Sequence, residues 1–137
     1  MSVTEVVAYD PRAIPWPTRA LTRLAVGAGR LLATQSPRRI RTVLQWLRQG
    51  ARPATVDEAK AARDAVVTVS LACAGREGCL PRSLATVLLC RARGHWATWC
   101  VGARRMPPFG AHAWVEVDGA AVGESYPPDY FRTFFSV

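Results

Sequence analysis

The order of hydrophobic periods along the chain predicts an α+β domain in which helices cover one face of a small antiparallel sheet. Up to Gly94 the apolar residues recur at helical spacing, within segments bounded by capping and stop residues. Beyond Gly94 the period falls toward two, in short segments separated by Pro107-Pro108 and Asp118-Gly119. Helices followed by a meander of strands give segregated layers rather than alternating parallel units. With 137 residues, half of them apolar, the chain is expected to form one domain over 1–137 with a real core.

Residues 1–16, with Pro11, Pro15 and Trp16, read as an extended arm. A helical part follows over 17–74. Leu21, Leu24, Ala25, Ala28 and Leu32 share one helical face, although Gly27 and Gly29 weaken the helix. Ser36 can cap the next helix and Pro37 can open it, because the first helical position needs no amide donor. Ile40, Val43, Leu44 and Leu47 then oppose Arg38, Arg41, Gln45 and Arg48, with Gly50 as the stop. Thr55 and Glu58 have capping-box spacing and predict a helix to about Ala74, against the strand-favouring run Val66-Val67-Thr68-Val69. The remainder, 75–137, holds the turn 75–78, a helix from Cys79 to about Arg93, and strands near 97–103, 112–117 and 120–126.

The net charge of +8 is almost all arginine, Lys60 being the only lysine. These arginines are scattered, whereas nucleic-acid binding needs a localised stripe with a readable motif, so a basic surface without a nucleic-acid partner is expected. The N-terminus carries acidic residues and no apolar run behind positive charge, which argues against a secretory signal and for a cytoplasmic location. No uncharged apolar stretch approaches the roughly 20 residues that cross a bilayer. The four cysteines are then expected to be reduced thiols. With no C-x-x-C or H-x-x-x-H pair, neither a metal nor another cofactor is expected.

Cys79 stands apart because it follows Gly78 and opens a helix. There the unpaired first amides and the positive end of the helix dipole favour a thiolate, and the same amides can receive an oxyanion. Cys73, Cys90 and Cys100 lie among apolar residues and read as core. A nucleophilic thiol needs a base and a group that orients the base. His95 falls in the loop after Gly94, where an exposed histidine serves no special purpose. His112 begins the run His112-Ala113-Trp114-Val115-Glu116-Val117, in which His112, Trp114 and Glu116 share a face.

The hairpin supplies the acid. A three-residue loop Val117-Asp118-Gly119 pairs Glu116 with Ala120 and sets His112 opposite Glu124, with β-carbons about 4.5 to 5.5 Å apart. A two-residue Asp-Gly turn would place Glu124 on the other face. The three-residue loop is taken here. Asp118 lies roughly 20 Å along the strand from His112, at about 3.3 Å per residue, and reads as a turn former.

The segments Cys79-Leu80-Pro81-Arg82-Ser83-Leu84-Ala85, Gly102, Pro108-Phe109 and His112-Ala113-Trp114-Val115-Glu116-Val117-Asp118-Gly119, in this order, resemble the leader peptidases of lasso-peptide biosynthesis, members of the transglutaminase-like superfamily. The match covers about 74–126. It implies a papain/transglutaminase-like fold and a catalytic triad of Cys79, His112 and Glu124, with a thioester intermediate and no cofactor. Glu124 stands where the family most often has aspartate. The resemblance also implies a precursor peptide as substrate, a separate leader-binding protein and a lasso cyclase as partners, and a standalone peptidase. Arg82 and Ser83 match the motif and either contact substrate or pack the helix start; Trp114 either shields the thiolate and imidazole or belongs to the core. A transglutaminase-like acyl transferase would use the same residues, and a non-catalytic basic adaptor would bind a leader peptide or nucleic acid without them.

Overall fold

A computed structural model describes residues 14–75, 77–124, 126–127 and 129–137. The expected arm lies outside the described residues over 1–13; Ile14 packs against the core, and Pro15 precedes the first helix. Five helices are described: α1 (Trp16–Leu32), α2 (Pro37–Arg48), α3 (Val56–Val69), α4 (Leu71–Ala74) and α5 (Cys79–Ala92). The strands are β1 (Arg52–Pro53), β2 (His95–Trp96), β3 (Thr98–Arg104), β4 (Ala111–Val117), β5 (Ala120–Ala121) and β6 (Phe131–Ser136). The main sheet is antiparallel in the order β5-β4-β3-β6, while β1 and β2 form a short parallel pair. This is the expected α+β architecture. Among the described residues, no helix is long and apolar enough to cross a membrane.

α5 is the central element, packed against α1, α3 and β4. Leu84, Val87 and Leu89 are fully buried in a core that also takes Ile40, Leu44, Val66 and the inward face of β4, Ala113, Val115 and Val117. Gly29 is a packing device here rather than a weak point, and α1 runs through it unbroken. A β-carbon at Gly29 would lie 2.8 Å from the backbone nitrogen of Ala85, so only glycine lets the two helices cross this closely.

The caps follow the sequence. Ser36 Oγ accepts from the Arg39 amide, and Thr55 and Glu58 satisfy one another's amides at 3.2 and 3.0 Å. The single helix expected from 55 to 74 is instead two. Ser70 is extended (φ −133°, ψ 109°) and its hydroxyl caps α4 by accepting from Cys73, so the β-branched run ends α3 and a serine restarts the helix.

One further expectation changes. His95 is not an exposed loop residue: it lies buried in β2, with Nδ1 3.1 Å from a carboxylate oxygen of Glu58, which Arg52 also grips. The terminal Phe131–Ser136 segment forms a sheet strand, β6, beside β3. Its tail is pinned by reciprocal bonds between Trp99 and Val137, both 2.9 Å, and by the indole of Trp96 donating to the Val137 carbonyl.

The hairpin register is also corrected. Glu116 pairs with Ala121 and Val117 with Ala120, leaving a two-residue Asp118-Gly119 loop rather than three residues. Both loop residues have positive φ, 53° and 77°. That is the primed turn whose twist matches the flanking strands, and Asp-Gly is well suited to it. The strand expected over 120–126 stops at Ala121, one bond after which Val122 N–H still donates to Val115.

Candidate active site

The head of α5 carries Cys79, and the residue before it is chosen for space. A β-carbon at Gly78 would fall 2.3 Å from the carbonyl oxygen of Ala72, so glycine lets the α4–α5 turn close beneath the thiol. Gly78 offers no side-chain cap. Pro81 has no amide hydrogen and the Arg82 amide already donates to the Gly78 carbonyl, which leaves the Cys79 and Leu80 amides at the helix head without a partner among the described residues. The side chain of Arg82 donates to the carbonyls of Cys73 and Gly75, at 3.0 and 3.4 Å, and so locks the turn from the other side.

β4 brings His112 to this head. The imidazole faces the Cys79 thiol closely enough for each to shift the other's ionisation, and the Ala113 amide acts on the same sulfur. On its other side, His112 Nε2 lies 3.3 Å from Glu124 Oε1, an ion-pair contact whose alignment falls short of a hydrogen bond. The structure thus gathers Cys79, His112 and Glu124 in one place. Glu124 arrives by a different route from the one expected. The two-residue turn gives the hairpin the wrong parity for it, but Gly123, in the left-handed region at φ 70°, takes the chain out of the ladder and redirects the carboxylate toward His112.

An aromatic wall fixes the imidazole. Phe131 stacks on it at 4.5 Å and Trp114 at 5.7 Å, and Tyr126 meets it edge-on at 6.2 Å. Phe131 can come so close because Gly102, paired with His112 across the sheet, has no β-carbon. One there would sit 2.0 Å from the Arg132 carbonyl oxygen and 2.9 Å from the Trp114 ring. Trp114 is buried, and its indole donates to Glu116 at 3.0 Å. It therefore shields the imidazole rather than presenting a polar group to a ligand.

Ser83 is an internal residue, which favours helix-start packing over substrate contact, the two readings open to it. It is 3% exposed, donates to the Leu80 carbonyl at 2.9 Å and accepts from the Trp99 indole at 3.0 Å. Ser83→Ala is expected to destabilise the fold by about 1–3 kcal/mol, since it leaves the indole N–H buried and unpaired. Urea denaturation would read this, and the folded variant should keep its reactivity at Cys79. Arg82 likewise has its side chain engaged within the turn.

The electrostatics favour a charged pair. His112 is the strongest influence on Cys79 and pulls the thiol below its ordinary value against the opposing effect of burial, with help from the Ala113 amide and Arg82. Burial would lower the imidazole, but the thiol and the carboxylate together outweigh it and raise His112 to about 9. Glu124 is pushed up by burial and pulled down further by His112, Arg63 and Arg82, so it stays ionised. By contrast, burial pushes Cys90 up to about 11 and Cys100 to about 12, and both remain inert thiols. A reaction that needs the thiolate–imidazolium pair should quicken as pH rises through the depressed Cys79 value and slow as His112 loses its proton near about 9. A pH–rate profile whose alkaline limb fell at or below neutrality would contradict this.

Chemically, the arrangement can supply a nucleophilic sulfur, a proton carrier beside it and two backbone amides for an oxyanion. Among the described residues, no group of three or more His, Cys, Asp or Glu is placed to hold a metal ion. Phe131, Tyr126 and Arg63 were missed as site residues; the aromatic density of 126–135 was the only signal for the first two.

The chain is thus an α+β domain in which a cysteine at a helix head faces a histidine on an antiparallel sheet. A family model described as transglutaminase-like superfamily matches residues 22–136, and the chain belongs to that superfamily. Comparison with curated proteins and with solved structures returned no significant match.

Proposed function

We propose that this chain is a cysteine peptidase that removes the leader from a ribosomally made lasso-peptide precursor in the cytoplasm. In this reading Cys79 attacks the carbonyl at the leader–core junction, and His112, as imidazolium, gives its proton to the departing amine. The thioester is then hydrolysed by a water that His112 deprotonates, and Glu124 orients the ring throughout. The supporting observation is the half-buried thiol at an uncapped helix head, with imidazole and carboxylate lined up behind it. The specificity rests on the motif resemblance around Cys79 and His112. A separate leader-binding protein would present the precursor, and a cyclase would close the released core.

The test is to incubate the purified protein with a leader-bearing precursor and the leader-binding protein, and to weigh the products. Two fragments summing to the precursor plus one water are expected, and none after alkylation of Cys79. Superfamily membership keeps acyl transfer as a second reading. Added amine would then appear in the product mass in place of water. Intact precursor under every condition would overturn both.

A further inference from the structure

Glu124 is the one member of the proposed constellation that no regular element holds. Cys79 opens α5 and His112 lies on β4, but β5 ends at Ala121 and Glu124 follows a left-handed glycine. A carboxylate on such a segment would swing unless something on the rigid part of the fold braced it. The space at Gly123 shows what is there. A β-carbon at that position would meet Arg63 of α3 at three atoms, Cδ at 2.5 Å, Nε at 2.7 Å and Cζ at 2.9 Å, so the guanidinium arm lies directly against the turn that delivers the acid. Arg63, Arg82 and Glu124 also line, with Trp114, one small cavity of about 10 Å³, while Glu124 borders a larger cleft as well.

Resting on the proposed peptidase reading, we infer that Arg63 is a positioning residue. It packs into the Gly123 turn from α3 and, with Arg82, walls Glu124 on the helix side so that the carboxylate stays against His112. Among the described residues, the charged groups acting on Glu124 are His112 from β4, Arg63 from α3 and Arg82 from α5, and Glu116 and Tyr126 line the same cleft as the acid. Arg82 is tied to the Cys73 and Gly75 carbonyls, so Arg63 is the brace that answers to the turn itself.

The prediction is a coupling. Arg63→Ala should lower kcat for precursor cleavage about tenfold with KM little changed, because misplacing a positioning group acts on the chemical step. In a Glu124→Ala background the same change should cost less than about twofold, since the group it positions is gone. Arg63→Lys should recover most of the loss. The rate of Cys79 alkylation against pH gives a readout independent of any precursor: Arg63→Ala should raise the apparent thiol pKa, and should leave it unmoved once Glu124 is absent. Equal losses in both backgrounds, or no loss in a folded Arg63→Ala protein, would overturn the inference. Failure of both Arg63→Ala and Arg63→Gln to fold would overturn it too, by placing Arg63 in general stability. If wild type cleaves no precursor, the peptidase reading fails while the alkylation experiment still decides the role of Arg63.

Discussion

Replacing Cys79 with alanine is expected to abolish cleavage, with kcat falling by at least about 10⁴-fold, while the fold is retained. The size follows from the chemistry. Without sulfur no thioester can form, and the helix-head amides and the imidazole have no attacking atom to assist. The fold should tolerate the change because the side chain is only half buried at the first residue of α5, and alanine is a good helix former. Mass spectrometry of precursor digests and an unchanged thermal midpoint would check both halves. Cleavage at a comparable rate would remove Cys79 from the mechanism, and no other cysteine could replace it, since Cys73, Cys90 and Cys100 are all buried.

The second large effect is expected at His112. His112→Gln, which keeps much of the volume packed on Phe131, should lower kcat by about 10³-fold or more, since base and acid are lost together. It should also change Cys79. His112 is the foremost cause of the lowered thiol value, so removing it should raise the thiol, with burial then opposed only by the Ala113 amide and Arg82. Alkylation near neutral pH should therefore slow markedly in the variant and recover as pH is raised. Glu124→Ala should lie between wild type and His112→Gln, because it loosens the ring without removing it. Asp118→Ala should be nearly silent in catalysis, since Asp118 sits in the turn at the far end of β4. The reverse ranking of Glu124 and Asp118 would overturn the assignment of the acid.

The difference between what was legible and what was not follows the range of the forces involved. Helix starts depend on a few neighbouring atoms, and so Ser36, the Thr55–Glu58 box and the opening of α5 at Cys79 could be read directly. The core face of β4 follows from alternation alone. The hairpin was misread because loop length turns on two backbone angles that Asp118 and Gly119 satisfy equally well in two registers, and the primed turn wins through the twist of the whole sheet. Glu124 does lie beside His112, but the register from which that neighbourhood was expected is not the one the hairpin adopts. Its true placement depends on Gly123, whose left-handed turn only matters once Arg63 of α3 stands beside it.

The sequence by itself determined the layer order, the helix caps, the placing of one thiol at a helix head and the face on which His112 lies, because each is written within a few consecutive residues. Only the tertiary structure decided that His95 and Ser83 are internal, that the last strand carries Phe131 onto the imidazole, and that Gly102 and Gly29 permit close approach. Those outcomes are set by residues far apart in the chain competing for the same volume, and only the packed whole sets which atoms meet.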